Sequence, residues 1–151
     1  MSANSKKMSA IAVACIFFLI DRLIKIIFVD YYNRLEIKLI GDYFKLKLTM
    51  NSGIAFGLPV NGLLIIGATI IISIVLLFVA VKAYQKERLG IFTAWLMLLA
   101  GAFSNLADRL NYGSVVDYFD ISYFSVFNLA DIAITISIAY LIINFSGRKK
   151  R

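Results

Sequence analysis

Residues 60–81 read VNGLLIIGATIIISIVLLFVAV, without a single charged side chain. An α-helix rises about 1.5 Å per residue, so about 20 residues of this kind cross a hydrocarbon layer of about 30 Å. Val60–Val81 therefore predicts a transmembrane helix. Three further stretches resemble it. Met8–Val29 is apolar except for Asp21, Arg22 and Lys25 in its second half. Leu89–Ala107 runs without charge and closes on Asp108-Arg109. Val126–Gly147 is as long as the run from Val60 to Val81, with Asp131 as its lone charge. The expectation is a single integral membrane domain over residues 1–151, all-α with a small β element. Its transmembrane helices fall over about 8–29, 60–81, 89–109 and 126–147.

Composition agrees. Of 151 residues, 61% are hydrophobic and 17% charged, and the mean hydropathy is +0.84. Soluble domains have about 45–50% apolar and about 25% charged residues. A soluble globular enzyme is excluded, and so is disorder, which needs the opposite composition. The sequence has no histidine and one cysteine, Cys15. Histidine bases, Ser-His-Asp triads, an internal disulfide and a cysteine-rich zinc site are excluded with them. Neither a metal nor a cofactor is implied, and no nucleic-acid partner is expected.

Orientation follows from lysine and arginine. Lys6 and Lys7 precede the first span, Lys82, Lys86 and Arg88 lie between the second and third, and Arg148-Lys149-Lys150-Arg151 follows the fourth. Threading puts all three clusters on one side, so both termini are expected in the cytoplasm. The longer connections, about Asp30–Pro59 and Leu110–Ser125, fall outside with a more even balance of acids and bases. In the first of these, Leu35-Glu36-Ile37-Lys38-Leu39 and Phe44-Lys45-Leu46-Lys47-Leu48-Thr49 alternate around Gly41-Asp42. Period-two alternation about a Gly-Asp turn predicts a β-hairpin, within about 34–50, whose greasy face rests on the bilayer or covers a site. Asn51–Pro59 is rich in turn formers and is not expected to be helix. Ala12-Val13-Ala14-Cys15 faintly resembles a lipoprotein cleavage box, but the apolar run continues to Ile20, too long for a removed leader. Cys15 is read as an ordinary helix residue.

Threading also gathers four acids at one depth near the outer surface: Asp21, Asp108, Asp117 and Asp131. Intramembrane acids are costly and by default have a functional or paired structural role. Asp21 and Lys25 are i, i+4 and can pair. Asn105, Asp108 and Arg109 share a face at i, i+3 and i+4, as do Asn128 and Asp131 at i, i+3. The plainer readings are a structural Asp21–Lys25 pair, an Asp108–Arg109 pair marking the interface, solvated Asp42 and Asp120, and an interfacial belt of Tyr112, Tyr118, Tyr123 and Phe124. Asp131 has no cation adjacent in sequence, and for it function is favoured. Two neighbouring carboxyls in a poorly solvated place split their pKa values, one ionised and one protonated, as in aspartic proteases. Spacing alone leaves open which pair does this.

The polar clusters resemble those of one family, lipoprotein signal peptidase (signal peptidase II). Asp21-Arg22-Leu23-Ile24-Lys25 resembles its D-x-x-x-K box, and Asn51-Ser52-Gly53-Ile54-Ala55-Phe56 its N-x-G-x-A-F. Gly101–Arg109 resembles G-x-x-x-N-x-x-D-R, Val115-Val116-Asp117 the V-V-D box, and Phe127-Asn128-Leu129-Ala130-Asp131 F-N-x-A-D. Arg22 stands where the family usually has Gln, and Ser104 where Gly is common. The resemblance implies a catalytic dyad of Asp117 and Asp131. It also implies a pocket shaped by Asp21, Lys25, Asn51, Gly53, Asn105, Asp108, Arg109, Asn128 and Ala130. The implied activity is removal of the signal peptide from diacylglyceryl-modified prolipoproteins, just before the lipidated cysteine. A monomer in the bacterial cytoplasmic (inner) membrane is expected, its active site near the extracytoplasmic face under a β-cradle, in contact with membrane lipid and inhibited by globomycin. Two rivals are a small proton-coupled carrier and a non-catalytic adaptor. The carrier would set its acids near the midplane with repeat symmetry. The adaptor would leave Asp117 without a purpose.

Overall fold

The computed structural model describes residues 2–32, 35–53, 62–85 and 88–146. Helix α1 (Ala3–Tyr31) begins at an N-cap, Ser2, whose hydroxyl accepts from the N–H of Ser5 at 3.2 Å. It extends past the expected 8–29 at both ends, because polar turns that hydropathy excludes can still be helical. Helix α2 (Gly62–Gln85) likewise passes Val81; Val60 and Asn61, where its expected span begins, lie outside the described residues. Helix α3 (Leu89–Tyr112) stops at Gly113, whose φ of 71° is left-handed and whose N–H donates to Arg109 O at 3.0 Å. A residue without a Cβ takes that conformation freely, which is why the helix ends there.

The expected β-hairpin is present as β1 (Glu36–Ile40) and β2 (Phe44–Asn51), turning at Gly41, where φ is 51°. Its partners are a correction to the sequence reading. Two further strands follow α3, β3 (Val115–Ile121) and β4 (Ser125–Phe127), and the four form one antiparallel sheet in the order β1-β2-β3-β4. The helix expected over 126–147 consequently begins later: β4 takes its first residues, and α4 runs Leu129–Ser146. The register sets Thr49 opposite Asp117 and Asn51 opposite Val115, which brings the end of β2 to the start of β3.

Helix α3 is central, packing against α1, α2 and α4. Ala94, Leu98 and Leu99 of α3 form a core with Ala10 of α1, Leu76 of α2 and Leu141 of α4. At Gly101 the α3 and α4 backbones approach closely: a Cβ there would lie 2.8 Å from Ala130 O and 2.9 Å from Ile134 Cγ1. Much of the remaining helix surface is apolar and exposed, for example Leu63, Ile71 and Ile74 of α2 and Ile136 and Ile143 of α4. Among the described residues, α2, α3 and α4 are long and apolar enough to cross a membrane. Helix α1, of 29 residues, is long enough but carries Lys6, Lys7, Asp21, Arg22, Lys25 and Asp30, and on composition it does not join them.

Candidate active site

The site grows from the first turn of α4. Asn128 precedes the helix, and its side-chain oxygen accepts from the N–H of Asp131 at 2.9 Å; in return Asp131 Oδ2 accepts from the N–H of Asn128 at 3.2 Å. This is a reciprocal capping box built by Asn and Asp three residues apart. The other leading N–H groups are also used. That of Leu129 donates to the Tyr118 hydroxyl at 3.1 Å, that of Ala130 to Asp21 Oδ1 at 3.1 Å, and that of Ile132 to Asn128 O at 3.3 Å. Helix starts leave such donors unpaired unless side chains meet them, so Asn128, Tyr118 and Asp21 fix where α4 begins and where Asp131 stands.

Asp117 comes from β3, with 1% exposure. Its Oδ1 accepts from Asn128 Nδ2 at 2.7 Å and its Oδ2 from Asn51 Nδ2 at 3.0 Å. Asn51 is itself held by a local turn, its side-chain oxygen accepting from the N–H of Gly53 at 3.1 Å. Burial outweighs these hydrogen bonds and, with the nearby charge of Asp131, pushes the Asp117 carboxyl up to about 6. The neighbouring Tyr118 hydroxyl is raised for the same first reason, burial, with Asp21 adding to it.

Beneath these lies a buried ion cluster. Lys25 Nζ is 2.7 Å from Asp108 Oδ2 and 3.3 Å from Asp21 Oδ2, and none of the three side chains is exposed. Arg22 pairs with the other oxygen of Asp108 and donates to Ser104 O at 3.2 Å. Ser104 Oγ donates to Asp21 at 2.5 Å, and Asp108 Oδ2 also accepts from the N–H of Val116 at 3.1 Å. Two cations and two carboxylates balance, which makes the cluster tolerable although three of its four side chains are wholly buried. It meets the upper site at Asn105, whose Oδ1 accepts from Lys25 Nζ at 2.7 Å and from Asn128 Nδ2 at 3.2 Å. The Nδ2 of Asn105 donates to Asp131 Oδ1 at 2.8 Å.

A cavity of about 270 Å³ opens between the sheet and the helices, lined by Asn51, Asn105, Arg109, Val115, Asp117, residues 125–127, Asp131, Ile134 and Thr135. Asp117 and Asp131 both face it. Arg109 reaches from α3 to Gly53 O at 3.4 Å. Beside it, a cavity of about 400 Å³ shares Asn51, Ser125 and Val126 and extends along Thr49–Gly53 to Phe124. Two carboxyl groups on one cavity, each bound at both oxygens, can exchange protons with a molecule placed between them.

The structure thus draws Asp21, Lys25, Asn51, Gly53, Asn105, Asp108, Arg109, Asp117, Asn128, Ala130 and Asp131 into one connected set. The rest of the N-x-G-x-A-F box, from Ile54, lies outside the described residues. Asp108 is fully buried, so the reading of Asp108–Arg109 as a simple interface marker does not hold. Tyr118, at 2% exposure, caps α4 and does not join the aromatic belt; Tyr112, Tyr123 and Phe124 are exposed. The sequence assigned no part in the site to Arg22 or Ser104, and it set Tyr118 in the belt. The signal for the first two was their departure from the resembled boxes, since each contacts the other and the cluster.

Comparison with known proteins agrees with this geometry. The model of the family described as signal peptidase (SPase) II matches residues 13–146. The lipoprotein signal peptidase of Moorella thermoacetica is 34% identical over 136 residues, covering 89% of this chain and 90% of its own. That of Halothermothrix orenii is 36% identical over 141 residues, covering 91% and 95%. A bacterial membrane enzyme solved by the in meso method at 2.3 Å resolution superposes with a TM-score of 0.79 at 27% identity, covering 93% of this chain and 89% of its own. With helices fit to cross a membrane and two carboxyl groups meeting on one cavity, the chain belongs to the signal peptidase II family.

Proposed function

We propose that Asp117 and Asp131 are the catalytic dyad of an intramembrane aspartic endopeptidase whose substrate is a diacylglyceryl-modified prolipoprotein. As a member of its family the chain is an aspartic-type peptidase that removes signal peptides from prolipoproteins. The observation that carries the dyad is its bridging: Asn128 donates to Asp117, and its backbone and side chain bind Asp131, so one residue holds both carboxyls on the same cavity.

One carboxylate takes a proton from water as the hydroxyl oxygen bonds to the scissile carbonyl carbon. The other, protonated, donates to the carbonyl oxygen. Proton transfer to the amine of the lipidated cysteine then breaks the C–N bond, releasing the signal peptide with a free carboxyl end. Arg109, Asn51, Asn105 and the cavity walls orient the peptide.

Helix α1 serves as a fourth crossing. Ile16, Leu19, Leu23 and Ile26 are exposed on it while Asp21 and Lys25 are wholly buried, so its outer surface is apolar although its composition is not. Lys6 and Lys7 at its start, with Lys82 and Arg88, lie at the opposite end from the sheet and the dyad, which supports cytoplasmic termini and an extracytoplasmic site; Lys86 and Arg148–Arg151 lie outside the described residues. The whole chain acts as one membrane domain and as a monomer. The substrate's acyl chains stay in lipid, and globomycin-like peptides compete for the cavity.

The test is a gel-shift cleavage assay in detergent with a diacylglyceryl-modified prolipoprotein, wild type beside Asp131→Asn. Cleavage by the wild type alone, blocked by globomycin, is expected. Equal turnover by the variant overturns the dyad.

A further inference from the structure

Three asparagine side chains surround the two acids, and the orientation of each is fixed by a group that can only donate. Lys25 Nζ holds Asn105 Oδ1 at 2.7 Å, the N–H of Gly53 holds Asn51 Oδ1 at 3.1 Å, and the N–H of Asp131 holds Asn128 Oδ1 at 2.9 Å. An ammonium or a backbone N–H has no acceptor capacity, so none of the three amides can turn over. Each therefore presents its NH₂ to a carboxyl oxygen. The donors are not equivalent. Asp117 is met by two neutral side-chain amides, from Asn51 and Asn128. Asp131 is met by an amide whose oxygen is bound to a buried cation, and by a backbone N–H at the start of α4, where the helix dipole favours negative charge.

We infer that Lys25, acting through Asn105, is a positioning residue that makes Asp131 the resting carboxylate, so that Asp131 takes the proton from water while Asp117 carries the shared proton. This rests on the dyad proposed above and assigns its two roles. The charged and titratable groups facing Asp131 are Lys25 and Asp21 from α1, Arg109 from α3, and Asp117 and Tyr118 from β3. Of these, only Lys25 is bound to an amide that itself donates to Asp131. Asp117, pushed up to about 6 mainly by burial, holds its proton to higher pH than an ordinary carboxyl does.

The experiment is a pair of pH profiles of kcat/KM for full-length protein in detergent with the lipidated prolipoprotein, comparing Asn105→Ala with Asn51→Ala. The acid limb reports loss of the single carboxylate, and the alkaline limb loss of the remaining proton. Asn105→Ala removes a donor to Asp131 and moves the acid limb to higher pH, by on the order of one unit. Asn51→Ala removes a donor to Asp117 and moves the alkaline limb upward instead. The reverse pattern overturns the assignment, as does either variant losing rate without moving a limb. Lys25→Met moves the acid limb as Asn105→Ala does, and the double variant moves it no further; additive shifts overturn the relay through Asn105. If Lys25→Met does not fold, the Asn105 and Asn51 profiles still decide the roles. Failure of the dyad itself is distinct, because Asp117→Asn or Asp131→Asn then continues to cleave.

Discussion

Lys25 on α1 and Asp108 on α3 meet at 2.7 Å with neither side chain exposed. Removing one member of such a pair leaves an uncompensated buried charge, which costs about 3–5 kcal/mol. Lys25→Ala is therefore expected to lower the melting temperature in detergent clearly and to reduce the yield of folded protein. An unchanged thermal shift would contradict the pairing.

Asp117→Asn and Asp131→Asn each remove one carboxyl of the proposed dyad while keeping shape. Each is expected to lower cleavage of a lipidated prolipoprotein by about 10²–10⁴-fold or more. Both proteins should remain folded and inserted. Gel-shift turnover beside size-exclusion behaviour separates loss of chemistry from loss of fold.

The Asp117 carboxyl also sets a pH dependence of stability. Its folded value, about 6, lies above the usual 3.8, so the folded protein binds more protons between those two values. Stability from this group is full below about pH 4 and is lost as pH rises through 6. Relative to wild type, Asp117→Asn should gain stability as pH rises across that window and then level off. The gain is up to about 3 kcal/mol, from about 1.4 kcal/mol per unit. Melting curves of the two proteins from pH 4 to 8 measure it, and a constant difference contradicts it.

Gly101 has no room for a side chain, with Ala130 O at 2.8 Å and Ile134 Cγ1 at 2.9 Å from a built Cβ. Gly101→Ala must move the first turn of α4 away from α3. A loss of about 1–3 kcal/mol is expected, together with reduced turnover, because the same turn carries Asp131. Melting temperature and kcat should fall together; wild-type values for both would refute the close approach.

Much of this was legible in the sequence where physics writes a period or a run. The alternation at Glu36–Ile40 and Phe44–Thr49 marks a hairpin because one of its faces is apolar. Strand β3 has no such alternation, because Val115, Val116, Asp117 and Tyr118 are all buried and both of its faces are covered. Val126 and Phe127 are apolar whether in a strand or a helix, so the run to Gly147 conceals the change from β4 to α4. The same ambiguity hides the cap at Asn128. Convergence of the four acids follows from threading four apolar runs. The contacts of Ser104 and Arg22 depend on how α1 and α3 rotate against each other, and those of Tyr118 on how β3 meets α1 and α4, which no local pattern encodes.

The anchoring of Asp21 has a consequence for biogenesis. Asp21 lies in α1, yet one of its partners is the N–H of Ala130 in α4, which is synthesised later. Until α3 and α4 are made, Asp21 has Lys25, one turn on in the same helix, as a companion of opposite sign. If α1 is the proposed fourth crossing, that self-neutralising pair lets it wait in the bilayer before α3 and α4 arrive. On the proposed dyad, a nascent chain without α4 therefore lacks one of its two carboxyls, and proteolytic competence waits for α4 to dock.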